Sequence, residues 1–209
     1  MVFEKIIREK HSLILRITHW LNVPVLSVMI WSGLLIYWAN PVYLPIPENI
    51  GPFRIHHRLA EGMGWHFLMM WPFVVNGIVF VINLFVSGNW KELFPDNKTF
   101  QKLIPFILFD LHLNKKCPVF EGKYNPAQRV IYPAVILMGL GSIISGLAIY
   151  KPVQAGFLSQ MLGGYESSRF LHFLCMSGIL LFIPVHLIQV ARSGWNNFRA
   201  MVAGYEVAE

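Results

Sequence analysis

Long stretches without charged residues are the main feature of this sequence. A charge at the centre of a bilayer costs about 2.5 to 3.5 kcal/mol, so an uncharged apolar stretch of about 20 residues is typical of a membrane-spanning helix. The pattern predicts four such helices, near residues 17–38, 65–87, 130–150 and 170–191. A proline inside each predicted helix is expected to kink it: Pro24, Pro72, Pro133 and Pro184.

A shorter apolar segment lies between the second and third predicted spans. Residues 103–109 are apolar, but Lys102 and Asp110 bound them, and the run is too short to cross a bilayer. The sequence therefore predicts an interfacial segment at about residues 100–112.

The composition agrees with a membrane protein. Hydrophobic residues make up 55% of the 209 positions and charged residues only 13%, against roughly 25% charged in a soluble domain. Soluble, disordered and disulfide-rich classes are thereby excluded, since two cysteines form at most one bridge. The predicted fold is an all-α membrane protein, a single four-helix bundle over residues 1–209.

The basic residues are distributed unevenly between the loops. Of the 17 Lys and Arg, those in the first and third connections between spans are Arg54, Arg58, Lys151 and Arg169. The positive-inside rule then predicts that both termini and the long middle loop are cytoplasmic. The net charge of +6 is explained by residues that flank spans, so lipid is expected as a partner and nucleic acid is not.

Four of the eight histidines lie within or at the ends of predicted spans: His19, His66, His172 and His186. A single one is equally explained by a hydrogen bond to a neighbouring helix. His172 and His186, however, are 14 residues apart, which places them within about 40° on one helix face and about 21 Å apart along its axis. Depth in the membrane then pairs His66 with His172 on the outer side and His19 with His186 on the inner side.

Two imidazoles at each of two levels favour haem over a bare metal ion. Zinc needs four ligands at one point, whereas haem iron takes two axial nitrogens and apolar walls. Haem c is disfavoured because the chain has no C-x-x-C-H motif, and Cys117 and Cys175 are interpreted as structural thiols. The pattern therefore predicts two haems b whose irons have both axial positions filled, which leaves electron transfer as their role.

A weak internal repeat relates the two halves of the chain. Arg16 precedes Ser32-Gly33-Leu34 by 16 residues, and Arg129 precedes Ser145-Gly146-Leu147 by the same interval. Each copy holds half of the predicted ligands. The small residues would let a macrocycle or a neighbouring helix approach closely, and helix packing explains them equally well.

Six short motifs resemble those of a known family. They are Thr18-His19-Trp20, Trp65-His66-Phe67, Tyr124-Asn125-Pro126-Ala127-Gln128, Ser145-Gly146-Leu147, Leu171-His172-Phe173 and Val185-His186-Leu187. The chain is similar over nearly its whole length to the dihaem cytochrome b subunits of bacterial respiratory oxidoreductases. That family includes the membrane anchors of nickel-iron hydrogenases, formate dehydrogenase and thiosulfate reductase.

The resemblance implies a cytochrome of the bacterial inner membrane that carries electrons between a periplasmic partner and the quinone pool. The implied partner is a metal-containing oxidoreductase subunit, which connects directly or through an iron–sulfur subunit. The chain would then be the electron-transfer subunit rather than the catalytic one. The resemblance also implies a quinone site at His186, Asn125 and Gln128, although Asn125-Pro126 is equally explained as a helix N-cap followed by proline.

Several alternatives remain open at this point. His57 is the alternative to His66 as the outer ligand. Two other functions are alternatives to an electron-transfer subunit: a membrane anchor or transporter without a redox role, and a stand-alone transmembrane haem reductase. Arginines near the span ends either pair with haem propionates or simply flank the spans. The candidates on the inner side are Arg16, Arg192 and Arg199, together with Trp195, and those on the outer side are Arg54, Arg58 and Arg169. The partner's identity, the direction of electron flow, the quinone type and the oligomeric state are not specified.

Overall fold

The computed structural model of the chain describes residues 6–44, 49–50, 53–54, 58–120 and 122–208. The described helices are α1 (Leu13–Ala39), α2 (Leu59–Val86), α3 (Trp90–Leu93), α4 (Asn97–Asp110), α5 (Pro126–Tyr150), α6 (Gly156–Met161) and α7 (Tyr165–Ala203). The described strands are β1 (Ile6–Glu9), β2 (Asn49–Ile50), β3 (Phe53–Arg54) and β4 (Tyr205–Ala208).

Helices α1, α2, α5 and α7 are, within the described residues, the four that are long and apolar enough to cross a membrane. This confirms the prediction of an all-helical protein with four candidate transmembrane helices. Large apolar side chains on these helices stay exposed, such as Leu181 at 71% and Trp71 at 62%, as expected where lipid takes the place of a protein neighbour. Each of these helices continues through its internal proline: Pro24, Pro72, Pro133 and Pro184.

The chain divides into two compact units. The first unit consists of Met1–Asn83 with Leu187–Glu209, and the second is Leu84–His186. The first therefore contains α1, nearly all of α2 and the end of α7, and the second contains α3 to α6 and the first part of α7.

In the first unit, α1 and α2 pack closely at a glycine and at a buried amide. A Cβ at Gly62 would lie 2.9 Å from Leu35 Cβ and 3.0 Å from Ser32 O, so only a residue without a side chain fits there. Further along α2, Asn76 is 4% exposed and donates to Thr18 O and to Asn22 Oδ1, both at 2.8 Å. These contacts fix the register of the two helices.

The two ends of the first unit form an antiparallel pair that the sequence did not predict. Strand β1 pairs with β4, with Ile7 opposite Val207. Lys10 Nζ donates to the Glu206 carboxylate at 2.6 Å, and Asn196 donates to Val207 O and accepts from Val207 N. Strands of four residues carry little periodicity, and each of these has its partner at the other end of the chain. Four spans require both ends on one side of the membrane, and this pairing agrees with that requirement.

The terminal pair is expected to loosen at acid pH. The Lys10 hydrogen bond lowers the pKa of Glu206, so its contribution to stability is present above the usual glutamate value and is lost as the pH falls through the lowered pKa. Hydrogen exchange of the β1 amides between pH 7 and 3, expressed as protection relative to the intrinsic exchange rates, measures this loosening. Glu206→Gln should remove the fall in protection at acid pH, and an identical fall in that variant would contradict the prediction.

Helix α7 changes direction at a glycine. Gly194 has φ 81° and ψ 171°, which is outside helical geometry and in a region that favours glycine. Beyond it, Met201 O accepts from Trp20 Nε1 at 3.0 Å and Val202 O accepts from Arg16 at 2.8 Å. The segment after Gly194 is thus held against the start of α1.

In the second unit, α5 and α7 pack through another close approach. A Cβ at Gly141 would lie 2.8 Å from Cys175 Sγ. Cys175 is buried, Cys117 is exposed, and both are free thiols. Cys175 is therefore part of the packing, as its interpretation as a structural thiol requires.

Helix α4 covers the region where the sequence predicted an interfacial segment near 100–112, and it begins three residues earlier. Asp96 caps it by accepting from the backbone N–H and side chain of Thr99, and these bonds lower the pKa of Asp96. Arg129 on α5 donates to Phe94 O at 2.7 Å and lies 3.5 Å from Asp96. The start of α4 is thereby tied to the first turn of α5.

Candidate functional site

A buried serine hydroxyl holds His66 in the first unit. Ser32 on α1 is fully buried, and its Oγ lies 3.1 Å from Nδ1 of His66 on α2. The same Oγ lies 2.7 Å from Val28 O, one turn earlier on α1. Because a carbonyl oxygen only accepts, the single hydroxyl hydrogen of Ser32 points at Val28, and His66 Nδ1–H must donate to Ser32. His66 is then the tautomer whose Nε2 carries the lone pair, which is the form that ligates a metal.

The second unit repeats this arrangement. Ser145 on α5 is fully buried, with Oγ 2.6 Å from Gly141 O and 3.1 Å from Nδ1 of His172 on α7. Nδ1 of His172 is also 3.0 Å from Ser142 O. Since that carbonyl accepts only, Nδ1 again carries the proton and Nε2 the lone pair. The internal repeat seen in the sequence therefore corresponds to one serine–histidine pair in each unit.

The glycine after each serine makes room for the imidazole ring. A Cβ at Gly33 would lie 3.3 Å from Cε1 of His66, and a Cβ at Gly146 would lie 3.1 Å from Cε1 of His172. The Ser-Gly step thus supplies a hydrogen-bond acceptor and a gap at adjacent positions. The sequence had marked these residues only as small. Their occurrence in both copies was the signal for a shared role.

The other two candidate histidines have aromatic neighbours on their own helices. The ring of His19 on α1 meets Trp20 edge-on at 5.3 Å, and the ring of His186 on α7 stacks on Phe182 at 5.2 Å with an interplanar angle of 27°. His19 belongs to the first unit and His186 to the second. Buried Asn76, which sequence reasoning missed, bonds to the carbonyl of the residue before His19. It is a buried amide inside an uncharged run, and that was the available signal.

The alternative outer ligand His57 and its neighbour His56 lie outside the described residues, as does the side chain of Arg54. Four other arginines proposed for propionates already contact protein groups. Arg16 donates to Val202 O, and Arg199 donates to Asn196. Arg58 pairs with Glu61, and Arg169 with Glu166.

Asn125 and Gln128 form a reciprocal capping box at the start of α5. Asn125 Oδ1 accepts from Gln128 N at 2.9 Å, and Gln128 Oε1 accepts from Asn125 N at 3.0 Å. Pro126 follows at the first helical position. The structure therefore contains the helix N-cap that was one of the two interpretations of this segment. The amide NH₂ group of Asn125 takes no part in the box.

Two tyrosines lie beside this cap. The ring of Tyr124 meets that of Tyr132 at 5.9 Å. Burial raises the pKa of Tyr124 to about 12, with smaller contributions from Tyr132 and Glu92. The Tyr124 hydroxyl therefore stays protonated at neutral pH and remains a hydrogen-bond donor.

The donor set fits haem better than a bare metal ion. Within the part of the chain that the structure describes, no three His, Cys, Asp or Glu side chains gather into a group that could hold a metal ion. Neutral imidazoles that are fixed through Nδ1 and surrounded by apolar helices are the ligands that haem iron takes. The residues present therefore fit haem.

Comparison with known proteins identifies the family. Residues 10–204 match the sequence family described as prokaryotic cytochrome b561. The chain belongs to this family. It is accordingly a multi-pass membrane cytochrome that binds haem b. The earlier resemblance to bacterial membrane cytochromes b is confirmed.

One relative of this cytochrome is named as a subunit of a reductase. The putative protein-methionine-sulfoxide reductase subunit YedZ1 of Azospira oryzae is 35% identical over 179 residues, which cover 85% of this chain and 87% of the relative. No solved structure matches the chain significantly.

Proposed function

We propose that this cytochrome carries electrons between the membrane quinone pool and a metal-containing oxidoreductase partner on the periplasmic side. The observation that supports this most directly is the pair of serine–histidine contacts, Ser32 with His66 and Ser145 with His172. Each fixes an imidazole in the metal-ligating tautomer inside an apolar helix pair. Haem b, when bound, supplies a reversible one-electron couple.

The proposed ligands form two pairs, as the sequence predicts. His66 and His172 would hold the outer haem, and His19 and His186 the inner one. The pairing is supported by the depth of each histidine within its predicted span and by the spacing of His172 and His186. Two imidazoles for each haem would leave no position at the iron for oxygen or substrate, so the haems would serve electron transfer.

The partner is proposed from the relative's name. That name describes a subunit of a protein-methionine-sulfoxide reductase, and reduction of a sulfoxide consumes electrons. A similar partner here would draw electrons from quinol through this chain, either directly or through an iron–sulfur subunit. Placement in the bacterial inner membrane with both termini cytoplasmic is supported by the few basic residues in the first and third loops between spans.

The quinone is proposed to bind at the start of α5, near the inner level. The capping box engages the side-chain oxygens of Asn125 and Gln128, whereas the Asn125 NH₂ is directed to neither backbone amide. We propose that this NH₂ group donates to a quinone carbonyl, with His186 close to the same site. The protonated Tyr124 hydroxyl provides a second donor beside the cap.

The haem content of the purified protein tests the proposal. A pyridine haemochrome assay with a reduced-minus-oxidised spectrum should give two haems b per chain. A value of one would contradict the two-pair arrangement, and none would make the chain a membrane anchor or transporter. Co-purification of a second subunit is expected, and purification of a haem-loaded, fully active chain alone would favour a stand-alone reductase.

Asn125→Ser separates the quinone role from the cap role. Serine is a good N-cap and keeps the acceptor oxygen, but it lacks the amide NH₂. We expect Asn125→Ser to reduce haem reduction by an added short-chain quinol about tenfold, the cost of one hydrogen bond of about 1.4 kcal/mol, with thermal stability unchanged.

Asn125→Ala is the comparison variant. It removes the cap as well, so it should also lower stability by about 1 kcal/mol. Quinol reactivity that is unchanged in Asn125→Ser but reduced in Asn125→Ala would assign this residue to the cap alone.

A further inference from the structure

We propose that Ser32 and Ser145 are positioning residues that lower the redox potential of the haem held by His66 and His172. The proposal rests on the function proposed above, because it needs those two histidines to bind one iron. It concerns the serines, to which neither the family nor the relative's name assigns a role.

The hydroxyl groups of both serines are fully committed. Each lies within 2.7 Å of the carbonyl one turn earlier on its own helix, Val28 for Ser32 and Gly141 for Ser145. Each therefore presents only lone pairs to the imidazole. Both serines are 0% exposed, so water does not compete for these lone pairs. The hydroxyl acts as a fixed acceptor rather than as a group that rotates between two roles.

A fixed acceptor on Nδ1 changes the ligand's electronic character. Donation from Nδ1–H makes the ring more basic at Nε2, and a more basic ligand stabilises the more highly charged ferric iron. Two such ligands on one haem act in the same direction. The haem held by His66 and His172 is therefore expected to have a lower potential with the serines than without them.

His172 has a second acceptor besides its serine. Nδ1 of His172 is shared between Ser145 Oγ and the carbonyl of Ser142, at 3.1 and 3.0 Å. Ser145→Ala leaves that carbonyl in place, so it removes only part of the effect. Ser32→Ala removes the hydroxyl acceptor from His66 and should shift the potential in the same direction.

A redox titration that follows haem absorbance in the full-length purified protein tests the proposal. Ser32→Ala should raise the potential of one haem by about 59 mV, a tenfold change in its ferric-to-ferrous ratio, and leave the other unchanged. The shifted component should be the one that disappears in His172→Ala. Ser145→Ala should also raise the potential of the same component.

Matched controls exist in the chain. Ser27, also on α1, bonds to Val23 O one turn earlier and is exposed, and buried Ser168 on α7 bonds to Gly164 O in the same way. Ser27→Ala and Ser168→Ala delete equivalent hydroxyls and should leave both potentials unchanged.

Ser32→Thr keeps the hydroxyl, so this variant should bind the haem at its original potential. The same result is expected even if Ser32→Ala no longer binds that haem. The proposal is overturned if both haems remain in Ser32→Ala and neither potential moves, if both move equally, or if the threonine variant behaves like the alanine one. Fewer than two haems in the unchanged protein would instead contradict the function on which the proposal rests.

Discussion

His172→Ala is expected to purify with one haem b per chain, where we expect two in the unchanged protein. Alanine has no donor nitrogen, and a haem iron held by a single imidazole in this apolar setting loses most of its affinity for the protein. The remaining haem should be the one assigned to His19 and His186. A pyridine haemochrome assay normalised to protein concentration measures the change.

Double variants test the pairing itself. If His66 and His172 bind the same iron, removing both still leaves one haem. His172→Ala combined with His186→Ala removes a ligand from each pair and should leave none. Loss of both haems in the variant that lacks His66 and His172 would show that the pairs are wrongly drawn.

His112→Ala is the control for these variants. His112 lies in the exposed loop after α4, where its Nδ1 is 3.1 Å from Asp110 O, and its replacement should leave both haems in place. Retention of two haems in His172→Ala would exclude His172 as a ligand. Loss of one haem in His57→Ala, with none lost in His66→Ala, would make His57 the outer ligand.

Gly62→Ala is expected to lower the stability of the protein by about 1 to 3 kcal/mol, the usual cost of overpacking. The added Cβ would lie 3.0 Å from Ser32 O and 2.9 Å from Leu35 Cβ, and a backbone oxygen cannot rotate away. Helices α1 and α2 must therefore separate, which also strains the contact between Ser32 and His66. Thermal unfolding in detergent, followed by loss of haem absorbance, measures the effect.

Gly64→Ala gives the matched comparison. Gly64 lies on the same helix two residues later, and a Cβ there would meet nothing within 4 Å. This variant should be neutral or more stable by up to about 1 kcal/mol, because alanine favours the helix. Equal destabilisation by the two substitutions would mean that the close approach at Gly62 carries no energetic weight.

The four apolar helices were predictable because exclusion of charge from hydrocarbon is a local property of the sequence. Their ends were less so. Helix α7 extends to Ala203, beyond the span predicted to end near 191, and it bends at Gly194 because contacts of Met201 and Val202 with α1 hold its last part. The break at Gly194 was not predicted from the sequence, and the helix continues through Pro184.

The histidines could be chosen from sequence because an ionisable group within an apolar span is rare. Which nitrogen of His66 or His172 carries the proton could not, since that depends on Ser32, Ser145 and the carbonyl of Ser142, all on neighbouring helices. The Asn125 segment was open to two interpretations. The structure adds the reciprocal bonds with Gln128, and the quinone role stays a prediction.

The sequence by itself determined that this chain spans a membrane and that four histidines lie on its apolar helices, because hydropathy and helical spacing are properties of a single segment. The tertiary structure decided the hydrogen-bonded state of those imidazoles, the glycine contacts that admit them and the pairing of β1 with β4. These features depend on atoms brought together from segments far apart in the chain, and no local pattern encodes such distances.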